Sequence, residues 1–174
     1  MTVVTSKVCV VGDFAVGKTS VIERFVNNQF SDKYLTTVGV KVDTKEIEHK
    51  ALGISHKLVI WDVAGSDRFG HIELAYLRGA NGYIFVADGT RLPTLRAARD
   101  LYQQITEEYG SAPCVLLVNK NDLTDQWNVR DERMEELTAH FGNTYRTSAK
   151  TGDEVETAMT RLSELIVDND FRNE

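Results

Sequence analysis

The residues best equipped for chemistry form one run, Gly12-Asp13-Phe14-Ala15-Val16-Gly17-Lys18-Thr19, which fits G-x-x-x-x-G-K-[ST]. An apolar stretch, KVCVV, precedes it, and a helical pattern, SVIERFV, follows. Strand, glycine-rich turn and helix start are the parts a phosphate cradle needs. The glycines let the backbone curl until successive amides point inward, and the helix start adds its positive end. Lys18 brings a point charge for β- and γ-phosphates, and Thr19 a hydroxyl for Mg²⁺. The plain alternative is a glycine-rich turn of any α/β protein, and the flanking strand and helix argue against it.

Three further groups leave strand ends. Trp61-Asp62-Val63-Ala64-Gly65 places a carboxylate where it can hold Mg²⁺ through a water, since Mg²⁺ keeps several of its own. Gly65 has no Cβ, so its amide can approach a γ-phosphate closely. Asn119-Lys120-Asn121-Asp122 follows the apolar run CVLLV. The Asp122 carboxylate can accept two hydrogen bonds from the ring N–H and exocyclic amine of guanine. Adenine presents an acceptor at the first position and lacks the amine, so such a site rejects it. In Ser148-Ala149-Lys150 the Ala149 amide is placed to donate to the guanine carbonyl oxygen. Each short group is weak evidence alone; four in this order point to a guanine nucleotide with Mg²⁺.

The elements that must position these groups alternate along the chain. Apolar β-branched runs predict strands at 7–11, 40–49, 54–61, 82–88, 114–119 and 143–147. Helical patterns cover 17–27, 72–79, 93–109, 129–141 and 153–167. Such alternation predicts a mostly parallel sheet covered on both faces. The short 50–53 turn makes strands two and three an antiparallel hairpin. Val155, Met159, Leu162 and Ile166 form one apolar stripe, read as core. Pro93 suits the first turn of its helix.

Composition agrees. At 174 residues, 42% hydrophobic and 26% charged, the chain fits one domain with a full core, spanning 1–174. A net charge of −6 argues against a nucleic-acid binder. Phosphate affinity is set locally, so nucleotide binding is unaffected by it. Cys9 and Cys114 sit in apolar runs and read as buried core thiols of a reducing compartment, not as a disulfide or zinc site. No run reaches membrane-spanning length, the start MTVVTSK lacks a signal core, and neither Thr2 nor the tail DFRNE offers a lipidation site. The expectation is a cytoplasmic protein, recruited to any membrane only through partners.

Across nearly its whole length the chain resembles the Ras-superfamily small GTPases, most of all the Rab-like branch. The resemblance rests on GDFAVGKT, YLTTVGV, WDVAGSDRF, NKND and TSAK, and no helical insertion of the Rho kind follows NKND. It implies a P-loop three-layer α/β sandwich with a six-stranded sheet, one antiparallel edge strand and five helices. It also implies a switch that hydrolyses GTP and meets protein regulators and effectors at loops around 31–41 and 65–78. By resemblance Thr37 closes on Mg²⁺ and γ-phosphate beside Thr19 and Asp62, and Lys18, Thr37 and Gly65 form the catalytic set. Phe30 packs edge-on against the base, Tyr34 lies over the phosphates and Lys120 stacks on the purine. Nucleotide contacts are expected from 13–20, Asn119, Lys120, Asp122, Leu123, Ser148, Ala149 and Lys150, with Ser20 closing the phosphate segment.

Three positions depart from the family. Ser66 stands where most relatives carry the glutamine that orients the attacking water, and its side chain is two atoms too short. Phe14 is bulky where the loop is usually small, and should obstruct an arginine finger, which contributes a factor of roughly 10³–10⁵. Thr36 replaces a common Pro. The expectation is slow hydrolysis, with Asp67, Arg68 and His71 as polar substitutes or merely solvated residues. The alternatives are a nucleotide-bound interaction module and a phosphotransferase, though the latter lacks an arginine-bearing lid and gives NKND no purpose. His49, His56 and His140 read as exposed, DERMEEL as a solvated helix face, and Trp127 as either an interaction residue or packing for the next helix.

Overall fold

The computed structural model describes residues 1–31, 39–63 and 74–174. In chain order the elements are β1 (Thr2–Gly12), α1 (Lys18–Asn27), β2 (Val40–His49), β3 (Ile54–Val63), β4 (Gly82–Asp88), α2 (Pro93–Tyr109), β5 (Cys114–Asn119), α3 (Asp131–Phe141), β6 (Asn143–Arg146) and α4 (Val155–Arg172). The six strands form one sheet in the order β2-β3-β1-β4-β5-β6. Among the described residues only β2 with β3 is antiparallel, in the expected hairpin, and the other pairs are parallel.

Strand alternation divides the core into two layers. Val8 and Val10 of β1, with Leu58 and Ile60 of β3, pack under α1 and α4 through Ile22, Phe25, Met159, Leu162 and Ile166. Cys9 and Val11 point the other way, toward Leu95, Ala98 and Ile105 of α2 and Leu137 and Phe141 of α3. The α4 stripe is therefore core, as its spacing predicts. Both cysteines are free and buried, and burial pushes their thiols up to about 12 for Cys9 and about 11 for Cys114. Such thiols stay protonated and inert.

Several expectations change. Among the described residues there are four α-helices where five were expected. Of the helix expected over 72–79, residues 72 and 73 lie outside the described residues, and Leu74–Leu77 make one 3₁₀ turn, followed by the Ala80 N–H on the Leu77 carbonyl and by Gly79 at a left-handed φ of 77°. Strand β1 starts earlier than expected because it pairs with β3 from Thr2 onward. Helix α4 runs beyond 167 on mostly exposed residues, with an Arg172–Asp168 ion pair one turn apart. His140 is exposed as read, but His49 is half-buried and His56 fully buried. The alternation Ile54, His56, Leu58, Ile60 carries the ring to the core face of β3. Trp127 packs inward over Gly89 and donates its indole N–H to the Val129 carbonyl at 3.0 Å.

Parallel strands place their C-terminal ends, and the loops leaving them, on one edge of the sheet. The chain leaves β1 toward β3 on one side and later reaches β4 on the other, so the crevice of the switch point opens at the run after β1.

Candidate nucleotide site

The loop between β1 and α1 is held from outside and shaped from within. A Cβ on Gly12 would lie 2.3 Å from the Val86 carbonyl oxygen, so the loop can leave β1 this close to β4 only with glycine. Ala15 and Gly17 adopt left-handed backbone, φ 61° and 102°, producing the curl the motif implies. A Cβ on Gly17 would meet the Asn119 amide nitrogen at 2.4 Å. Lys18, buried at the first turn of α1, turns back over the loop. Its ammonium donates to the Gly12 and Asp13 carbonyls at 3.3 and 3.1 Å. Burial lowers its pKa, while Asp62 and Asp13 oppose the shift. Buried beside two carboxylates, it is a cation ready to meet phosphate.

Thr19 donates its hydroxyl to the Asp62 carboxylate at 2.6 Å, and Asp62 is buried near the end of β3. A hydroxyl and a carboxylate in contact beside the phosphate loop are a hard-oxygen pair of the kind Mg²⁺ takes, and Mg²⁺ needs only one or two protein ligands when phosphates and water supply the rest. These two residues fit the ion. Among the described residues no group of three or more His, Cys, Asp or Glu is arranged as a metal cluster.

On the far side of the crevice, Asn119 ties three segments together. Its amide donates to the Val16 carbonyl at 3.1 Å, and its carbonyl oxygen accepts from the Thr147 hydroxyl and the Ala149 amide, both at 3.2 Å. The Ala149 amide, expected on the base, thus points at Asn119 in this structure. Lys120, at a left-handed φ of 73°, donates to the Ala15 carbonyl at 3.0 Å. Asp122 is half-buried and accepts from the Ser148 hydroxyl at 2.8 Å, which orients the carboxylate. Leu123 is half-buried beside it, Lys150 is exposed, and Phe30 stands exposed beyond the end of α1. Phe14 is 42% exposed, and its amide donates to the Asp13 carboxylate at 2.7 Å.

Tyr34, Thr36, Thr37, Ala64, Gly65, Ser66, Asp67, Arg68 and His71 lie outside the described residues. Of the others, Gly12–Thr19, Asp62, Asn119–Asp122 and Ser148–Lys150 lie at or just beyond the C-terminal ends of β1, β3, β5 and β6. Sequence reading missed two arginines. Arg24 of α1 reaches the segment after β6, donating Nε to the Ala149 carbonyl at 2.8 Å and Nη2 to the Lys150 carbonyl. Arg91, after β4, donates to the Phe14 carbonyl at 2.9 Å. Neither belongs to a motif, and both act across long stretches of sequence.

The Ras family profile matches residues 7–168. The chain is 34% identical to Ras-related protein Rab-27B of Homo sapiens over 92% of its own length and 79% of the relative's. It is 35% identical to Ras-related protein Rab-3A of Homo sapiens over 92% and 73% of the two chains. It is 33% identical to Ras-related protein Rab-32C of Dictyostelium discoideum over 95% and 75%.

Proposed function

The chain belongs to the Ras family of small GTP-binding switch proteins, and from that premise we propose a Rab-like switch that hydrolyses GTP slowly. The observation that carries the reading is one grip: Asn119 and Lys120 hold the Val16 and Ala15 carbonyls, while Asp122, two residues on, is set against Ser148. The tie between the phosphate loop and the guanine-reading carboxylate supports binding of one ligand by both ends. Asp122 accepts from the guanine ring N–H and amine, Lys120 covers the purine, and Phe30 closes its edge. Mg²⁺, when bound through Thr19, Asp62 and Thr37, supplies positive charge to the outer phosphate oxygens.

In hydrolysis, water attacks the γ-phosphorus, the bond to the β–γ bridging oxygen breaks, and GDP leaves with that electron pair while the water's protons pass to phosphate and solvent. Lys18 stabilises the charge gathering on the outer phosphates, and the Gly65 amide holds a γ-oxygen. Ser66 cannot span the distance to the water that a glutamine amide spans, and exposed Phe14 blocks the approach of an activator's arginine. Loss of γ-phosphate releases the loops around 31–41 and 65–78, which changes affinity for regulators and effectors. Among the described residues no helix is long and apolar enough to cross a bilayer.

Chromatography of the nucleotide released from purified protein tests the ligand: guanosine phosphates are expected, and ATP would overturn the reading. Single-turnover hydrolysis with Mg²⁺ tests the rate, and Ser66→Gln should raise it about tenfold, as for one added hydrogen bond of about 1.4 kcal/mol to the attacking water. Wild-type turnover equal to that of a glutamine-bearing relative would refute the slow-hydrolysis proposal. No turnover even in Ser66→Gln would favour a nucleotide-bound interaction module.

A further inference from the structure

The turn after β4 holds ionic contacts that the nucleotide motifs do not account for. Asp88, the last residue of β4, is buried, and both its carboxylate oxygens are shared. Oδ1 accepts from the Thr90 amide at 2.8 Å and the Thr90 hydroxyl at 2.6 Å. Oδ2 accepts from Lys120 Nζ at 2.8 Å and Arg91 Nε at 2.9 Å. Each of these cations continues to the phosphate loop. Lys120 Nζ donates to the Ala15 carbonyl at 3.0 Å, and Arg91 Nη2 to the Phe14 carbonyl at 2.9 Å. With Asn119 on the Val16 carbonyl at 3.1 Å, three consecutive carbonyls of the loop are gripped by three side chains.

In a trans peptide the carbonyl of one residue and the amide of the next point in opposite directions. Gripping the carbonyls of 14, 15 and 16 from outside therefore turns the amides of Ala15, Val16 and Gly17 into the curl. Two of the grips come from the NKND run, but the first comes from Arg91, which no motif contains. Arg91 meets its two acceptors with separate nitrogens, Nε on Asp88 and Nη2 on the Phe14 carbonyl, where Lys120 reaches Asp88 and the Ala15 carbonyl from its single Nζ; a lysine at 91 would have to bridge the wider-set pair from one point.

We propose that Arg91, anchored by Asp88, is a positioning residue for the nucleotide's outer phosphates, fixing the Phe14–Ala15 peptide so that the Ala15 amide faces them. The inference rests on the guanine-nucleotide reading above and deepens it. Such preorganisation matters because donors fixed in place cost nothing to reorient when the anion arrives.

The test compares wild type, Arg91→Ala and Arg91→Lys for binding of GDP and GMP, by displacement of a fluorescent GDP analogue with Mg²⁺ present. GMP lacks the outer phosphates, so it reports the base pocket and general integrity. Both variants should bind GDP about tenfold more weakly, as for loss of one hydrogen bond to a charged group, while GMP binding stays within about twofold. Arg91→Ala binding GDP as wild type does would overturn the proposal. So would Arg91→Lys behaving as wild type, which would mean that charge alone suffices, or equal weakening of GDP and GMP, which would mean a general loosening. A wild-type chain that holds no GDP sinks the nucleotide reading itself.

Discussion

Acidification should weaken this fold through one buried imidazole. His56 is fully buried between β1 and α4; Nε2 lies 2.8 Å from the Ser6 hydroxyl and Nδ1 2.7 Å from the Ser163 hydroxyl, which also contacts His49 Nε2 at 2.7 Å. Burial, with a smaller contribution from the His49 charge, lowers the His56 pKa from 6.5 to about 4. The unfolded chain binds a proton at the ordinary value, so between pH 6.5 and 4 the unfolded state holds more protons than the native one. Stability contributed by the neutral ring is complete above pH 6.5 and declines as pH falls, levelling off below about 4. At about 1.4 kcal/mol per pKa unit, the full loss is about 3 kcal/mol, of which about 2 kcal/mol has gone by pH 5. Against a total of roughly 5–15 kcal/mol for a domain, that is a large share.

The perturbation is His56→Gln, which keeps a polar side chain between the two hydroxyls and cannot titrate. Urea unfolding at matched GDP concentrations, from pH 7.5 to 5, gives the stability of both proteins. The other ionisable groups are shared by the two proteins, so they largely cancel in the difference. The stability gap between wild type and variant should shift by about 2 kcal/mol in the variant's favour toward pH 5. Two curves that stay parallel across this range would refute the reasoning.

Two backbone sites give further expectations. Gly17→Ala forces a left-handed residue whose Cβ would sit 2.4 Å from the Asn119 amide nitrogen. It should break the Asn119–Val16 bond and speed GDP release by about tenfold or more, measured by stopped-flow fluorescence; unaltered release would show that the loop tolerates the shift. Gly89→Ala would put a methyl 2.1 Å from the Trp127 ring. Displacing that ring should cost about 1–3 kcal/mol in urea unfolding and change the tryptophan emission, since overpacking is as costly as a cavity.

What the sequence determined by itself was local chemistry in order. Gly12–Thr19, Asp62, Asn119–Asp122 and Ser148–Lys150 each depend on a strand end and the turn leaving it, and the residues that need each other there are neighbours in sequence. Parallel pairing then brought those ends to one edge, as the alternation of strands and helices implied. The tertiary structure alone decided which distant residues meet. Arg91 finds Phe14 77 residues away, Arg24 finds Ala149 125 away, and His56 finds Ser163 107 away. The period-two run through Ile54, Leu58 and Ile60 carried a sign of His56's burial, outweighed by its nearness to a hairpin turn. For the arginines there was no sign: an exposed cation on a helix or turn reads the same whether it meets water or a carbonyl. Side-chain partners across the sheet edge follow from strand order and register, and those are properties of the folded whole.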